Sequence, residues 1–155
     1  MENTNMVAPP LDLDLNSVKT DLPLLAPGNY ELQIAKVERK MTKANAPMLA
    51  IELRTTAPAE AQDGSQLGPN VPVFTNINMA PSGAATWDMV LRNVAAVTQA
   101  LGLNTHWGEF QANAPVLLQG GVVRCKVEIA PAGTDKNGKS FKAKNEIVTW
   151  LKRQA

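Results

Sequence analysis

Tyr30-Glu31-Leu32-Gln33-Ile34-Ala35-Lys36-Val37-Glu38-Arg39 follows the turn signal Pro27-Gly28-Asn29, and its apolar residues change phase halfway along. They occupy even positions through Ile34 and odd positions at Ala35 and Val37. Alternation at period two marks a strand with one buried face. A phase change inside such a strand needs an inserted residue or a sharp bend, and small closed barrels use that bend where one strand serves both halves. The competing reading is a strand that stops near Lys36.

The neighbouring segments extend this pattern. Residues 48–55 place Leu49, Ile51 and Leu53 on one face, with Met48, Ala50, Glu52 and Arg54 on the other. After a loop rich in Ala, Pro and Gly, residues 71–79 place Val71, Val73, Ile77 and Met79 together, opposite Phe74, Asn76 and Asn78. The period then becomes helical, with Trp87, Leu91, Val94, Thr98 and Leu101 on one stripe. Thr86 is the expected cap, Asp88 favours the first turn and Gly102 is the stop. Trp87, on the stripe, is expected in the core. Gly120-Gly121 opens a fourth strand with Val123, Cys125, Val127 and Ile129 inward. A fifth, residues 141–151, follows a loop whose Asn137-Gly138 pair favours the positive backbone angles of a hairpin turn. Three strands, one helix and two strands is the order of a five-stranded oligonucleotide-binding (OB) barrel, a mainly β fold.

Composition sets wider bounds. At 155 residues, 45% hydrophobic and 19% charged, the chain reads as one globular domain with a sizeable core. Its apolar runs are far shorter than the roughly 20 residues that span a bilayer, so no membrane span is expected. The opening Met-Glu-Asn-Thr-Asn lacks the basic and apolar parts of a secretory signal, which makes the cytoplasm the expected compartment. Cys125, the one cysteine, reads as a small core residue. Residues 1–27 read as an extended acidic arm and residues 28–155 as the barrel domain. In the arm Leu11, Leu13 and Leu15 alternate with Asp12 and Asp14, a pattern suited to adding an edge strand to this body or to a neighbouring subunit. A leader that contacts nothing is the other reading.

The net charge of +1 conceals two basic loops. Lys36, Arg39, Lys40 and Lys43 surround the first turn, and Arg54 lies on the second strand. Lys136, Lys139, Lys142 and Lys144 follow Thr134-Asp135 around the last turn. In an OB barrel these are the loops that grip nucleic acid. Stacking requires flat side chains, and Phe74, Phe141 and Trp150 are the candidates, with Tyr30 as a further one. Phe74 has a second reading, as cover for the edge of an imperfectly closed barrel. Singly, each lysine also reads as a solvated strand edge that discourages aggregation.

Leu25-Ala26-Pro27-Gly28-Asn29-Tyr30, Lys43-Ala44-Asn45-Ala46-Pro47-Met48-Leu49, Ala100-Leu101-Gly102, Gly120-Gly121-Val122 and Asn145-Glu146-Ile147 together resemble a group of small bacteriophage-encoded single-stranded DNA-binding proteins. The resemblance covers residues 25–151 through short motifs, mostly turns. It implies a protein that coats single strands without sequence preference during phage DNA replication, recombination or repair. It also implies a homo-oligomer in the host cytoplasm, with phage or host replication and recombination proteins as partners. Many such proteins recruit partners through an acidic C-terminal tip; residues 150–155, Trp150-Leu151-Lys152-Arg153-Gln154-Ala155, depart from that pattern, so recruitment of this kind is not expected of them. The alternative is a virion structural or capsid-decorating protein whose arm laces subunits together. Catalysis has little support. His106 lacks metal-ligand spacing to any Cys or second His, and no phosphate loop, nucleophile elbow or dinucleotide fingerprint occurs. No enzyme, metal or cofactor is expected.

Overall fold

The computed structural model describes residues 8, 10–17, 24–81, 83, 86–135 and 137–152. Strand β1, Gly28–Met41, carries the phase change as a bulge. Ile34 pairs with Leu53 and Lys36 with Glu52, so Ala35 is the extra residue. Leu32 and Ile34 before the bulge and Val37 after it are all buried. The strand therefore continues well beyond Lys36. Its first half pairs with residues 122–127, while its longer second part pairs with residues 47–55.

The remaining elements are β2 Pro47–Thr55, β3 Ala59–Glu60, β4 Gln66–Leu67, β5 Pro72–Asn78, α1 Trp87–Leu101, α2 Trp107–Leu118, β6 Val122–Ala130, β7 Gly133–Thr134, β8 Ser140–Phe141 and β9 Lys144–Leu151. The main sheet is antiparallel throughout, in the order β5-β2-β1-β6-β9. Two two-stranded ladders, β3-β4 and β7-β8, accompany it. The expected barrel is not closed. Edge strands β5 and β9 approach each other, but no ladder joins them among the described residues. At the β9 edge the Asn145 side chain receives the Leu25 N–H at 2.8 Å and donates to the Leu25 carbonyl at 3.0 Å. Leu24 lines the cleft between the two edges.

Leu25, near the end of the expected arm, is fully buried in the core. Ala26 N–H donates to Glu60, Gln62 N–H to Leu24, and Tyr30 Oη–H to the Ala26 carbonyl. Farther out, residues 10–17 form no strand: Leu13 N–H closes a turn onto Pro10, and Leu15–Ser17 is a single 3-10 turn.

Thr86 caps α1 by accepting the Met89 N–H at 3.3 Å, and Gly102 ends it at φ 71°. The buried stripe is Val90, Val94, Val97, Thr98 and Leu101, rotated from the expected one. Trp87 consequently leaves the core, 49% exposed, with its ring edge-on to Trp107 at 5.8 Å. A second helix replaces the single one expected. His106 caps α2 through Nδ1, which accepts the Glu109 N–H at 3.2 Å, and Phe110, Ala114 and Leu118 are buried. Pro115 and the non-helical Asn113 kink it. At Gly121, between α2 and β6, a Cβ would lie 2.4 Å from Leu101 Cδ2 and 3.1 Å from the Leu118 carbonyl, so a larger residue would need the Leu101 side chain to move. The last strand begins at Lys144, since Phe141 belongs to the β7-β8 hairpin. Among the described residues, no helix is long and apolar enough to cross a membrane.

Candidate nucleic-acid interface

The pleat decides which side chains share the outer face of β1, β2 and β5. Val37, Ile51, Val73 and Ile77 point into the core, so their sequence neighbours point out. On β1 these are Lys36, Glu38 and Lys40; on β2, Ala50, Glu52 and Arg54; on β5, Phe74 and Asn76. Phe74 stands directly opposite Glu52 and is 58% exposed. A depression of about 330 Å³ runs over this face, lined by Lys36, Lys40, Glu52, Phe74 and Asn76 among others. Phe74 also lines the β5-β9 cleft of about 500 Å³, with Lys144 on the opposite wall.

The cations on this face have neighbouring carboxylates. Lys36 Nζ lies 2.6 Å and Lys40 Nζ 3.6 Å from Glu38, and Arg54 Nε lies 3.1 Å from Glu52. The hydrogen bond and charge of the partner raise the Lys36 ammonium above its usual value and lower the Glu38 carboxyl below its own. Both groups are therefore ionised at neutral pH. Exposed pairs of this kind contribute little to stability, so an incoming polyanion meets only modest competition for these cations.

The two basic turns have the same backbone construction. In the first, Asn45 N–H donates to the Thr42 carbonyl, Thr42 N–H to the Ala46 carbonyl, and Thr42 Oγ1 accepts the Ala46 N–H. In the second, Asp135 takes the place of Thr42: Gly138 N–H donates to its carbonyl, its own N–H reaches Lys139, and its Oδ1 accepts from Asn137 and Lys139. Asn45 at φ 61° and Gly138 at φ 79° supply the left-handed residue that each turn requires. Exposed Lys43 stands on the first turn and exposed Lys139 on the second. The first hairpin leaves the sheet where Met48 pairs with Asn78, whereas residues 143–147, at the root of the second, face residues 72–76.

Not every candidate joins this surface. Arg39 follows the phase of Val37 and donates from Nη2 to the Gln111 carbonyl of α2 at 2.5 Å, away from Lys36 and Lys40. Trp150 is partly buried against the core and pairs with Cys125, so it is not an open stacking platform. Phe141 is exposed but lies over Gly133, where an added Cβ would be 2.9 Å from its ring. Lys142 is exposed on the segment after β8. Lys136 lies outside the described residues. The part of the face that the charge count missed is its acidic component, Glu38 and Glu52, although the spacing Lys36, Glu38, Lys40 within one strand is its signal.

Among the described residues, no group of three His, Cys, Asp or Glu could hold a metal ion. His106 is engaged as a helix cap. No protein-family model matches the chain, and no curated protein matches it.

Proposed function

We propose that the chain is a single-stranded DNA-binding protein, of the bacteriophage-encoded kind that its turn motifs resemble, and that it binds without sequence preference rather than catalysing a reaction. The carrying observation is Phe74, a phenylalanine 58% exposed on the pleated face that also carries Lys36, Lys40 and Arg54, with Lys144 across the neighbouring cleft. Cations replace phosphate counterions, and an open ring stacks on any base. The strand order, with the helices between β5 and β6, supports an OB-type barrel left open between its third and fifth main strands.

The test is titration of end-labelled oligothymidine, followed by fluorescence anisotropy across a salt series. Tryptophan fluorescence is a poor reporter because Trp87 and Trp107 lie on the helices and Trp150 against the core. With about four phosphates contacted at roughly −0.7 each, the logarithmic salt slope should be near −3. A slope near zero, or a preference for duplex, would refute the reading. The second reading, a virion structural protein, is favoured by the carboxylates beside these cations. It predicts no oligothymidine binding even at low salt.

A further inference from the structure

The arm complements this face in both charge and polarity. Leu11 and Leu15 are 107% and 79% exposed, with Leu13 and Asp12 also at the surface. Three leucines turned to solvent within five residues are an unfavourable arrangement for a segment with no binding surface. Drawn out, residues 11–15 would carry leucines on one edge and Asp12 and Asp14 on the other. What opposes this extension among the described residues is local: the turn that Leu13 N–H closes onto Pro10, the 3-10 turn Leu15–Ser17 and the Asn16 N–H bond to Asp14 Oδ1. The β1-β2-β5 face offers the counterpart: an exposed phenyl ring, with Lys36, Lys40 and Arg54 outnumbering Glu38 and Glu52. The arm is rooted at Leu24, in the cleft that Phe74 lines, yet its leucines face solvent in the single chain.

We infer that residues 10–16 of one copy lie across the β1-β2-β5 face of a second copy, leucines against Phe74 and aspartates toward Lys36 and Lys40. Resting on the proposed DNA role of that face, the inference makes the neighbour's arm and single-stranded DNA competitors for one surface. The contact is head-to-tail, joining an arm to a different patch, so it builds chains or rings of subunits. A segment this short buries far less than the roughly 1,000 Å² of a stable interface, which makes the association weak and reversible. Its charge pairs also make it salt-sensitive.

Sedimentation velocity at low salt, over a range of protein concentrations, tests this on the full chain. The reference variant lacks residues 1–17 and so keeps the Leu24 anchor. The full chain should gain mass with concentration, and the truncated chain should remain monomeric. Asp12→Lys with Asp14→Lys should abolish association, as should Lys36→Glu with Lys40→Glu, and mixing the two charge-reversed proteins should restore it. Excess oligothymidine should dissociate the full-chain assembly. A monomeric full chain, a mass unaffected by truncation, or no rescue on mixing would overturn the inference. So would a monomeric full chain that binds oligothymidine more tightly after truncation, because that places the arm on its own face. Oligothymidine that binds without dissociating the assembly refutes the competition alone. Arm-dependent association with charge-swap rescue but no oligothymidine binding would instead refute the DNA reading.

Discussion

At the residue scale, Phe74 and Cys125 show how one alternating pattern produces opposite chemistry. Phe74 falls on the outward phase of β5, where its ring contributes little to the core. Phe74→Ala should leave the melting temperature nearly unchanged and weaken oligothymidine binding by the stacking of one base, about 1–3 kcal/mol. Phe74→Trp should retain binding and add a fluorescence signal at the site. Anisotropy and thermal denaturation check both, and unchanged affinity in the alanine variant would reduce Phe74 to an edge cover. Cys125 falls on the inward phase of β6, where burial pushes its thiol up to about 12. The folded thiol should therefore resist alkylation at pH 8 and react once the protein is unfolded. The sign of the linkage follows from the raised value. Unfolded chains release this proton near about pH 8.5 and folded ones do not, so the contribution to stability is full below that pH and declines toward pH 12. Denaturant midpoints at pH 8 and pH 10, compared between the parent and Cys125→Ala, isolate the effect.

At the scale of elements, the joint between arm and body depends on Asn145. Its amide supplies Leu25 with both of its partners, in a place where β5 and β9 form no ladder. Asn145→Ala would leave the buried N–H and carbonyl of Leu25 unpaired, at a cost of roughly 2–4 kcal/mol. The loss should appear as a lower denaturation midpoint, and as faster amide exchange at Leu25 than in the parent. The sequence shows this joint only as the motifs Leu25-Ala26-Pro27 and Asn145-Glu146-Ile147, because a side chain that replaces a ladder has no period. Where burial is one-sided and regular, as in β1, β2, β5 and β6, alternation alone identifies the inward residues, and even the bulge at Ala35 is legible. It failed for α2. Gly108 and Pro115 interrupt the helical period, and an imidazole cap at His106 is not a usual start signal. It also misjudged Trp87, because periodicity identifies a stripe without fixing which other helix covers it.

For the whole molecule, the distribution of charge matters more than its sum. The basic loops were legible as clusters along the chain, but strand phase divides the first one, sending Arg39 toward α2 and Lys36 and Lys40 outward. Register divides the two loops again. The first hairpin stands level with Asn78, while the root of the second lies near residues 72–76, so their separation along β5 is about 13 Å at roughly 3.3 Å per residue. The roots of the two loops therefore stand at different levels along β5. A strand that crosses the face must reach both, whereas a very short oligonucleotide can reach only one. Lys40→Glu with Lys43→Glu, and separately Lys139→Glu with Lys144→Glu, should each weaken binding to a long oligothymidine and lower the magnitude of its salt slope by roughly 1.4, two contacts at about 0.7 each. Because the two pairs are that far apart, their free-energy losses should add in the fourfold variant. All four lysines are exposed, so folding should survive, as circular dichroism and thermal denaturation would report. For the shortest oligothymidine that still binds, the two pairs should no longer contribute equally. Parent-like affinity in either double variant would show that hairpin to be a bystander, and losses that fail to add would mean that the hairpins meet the same phosphates.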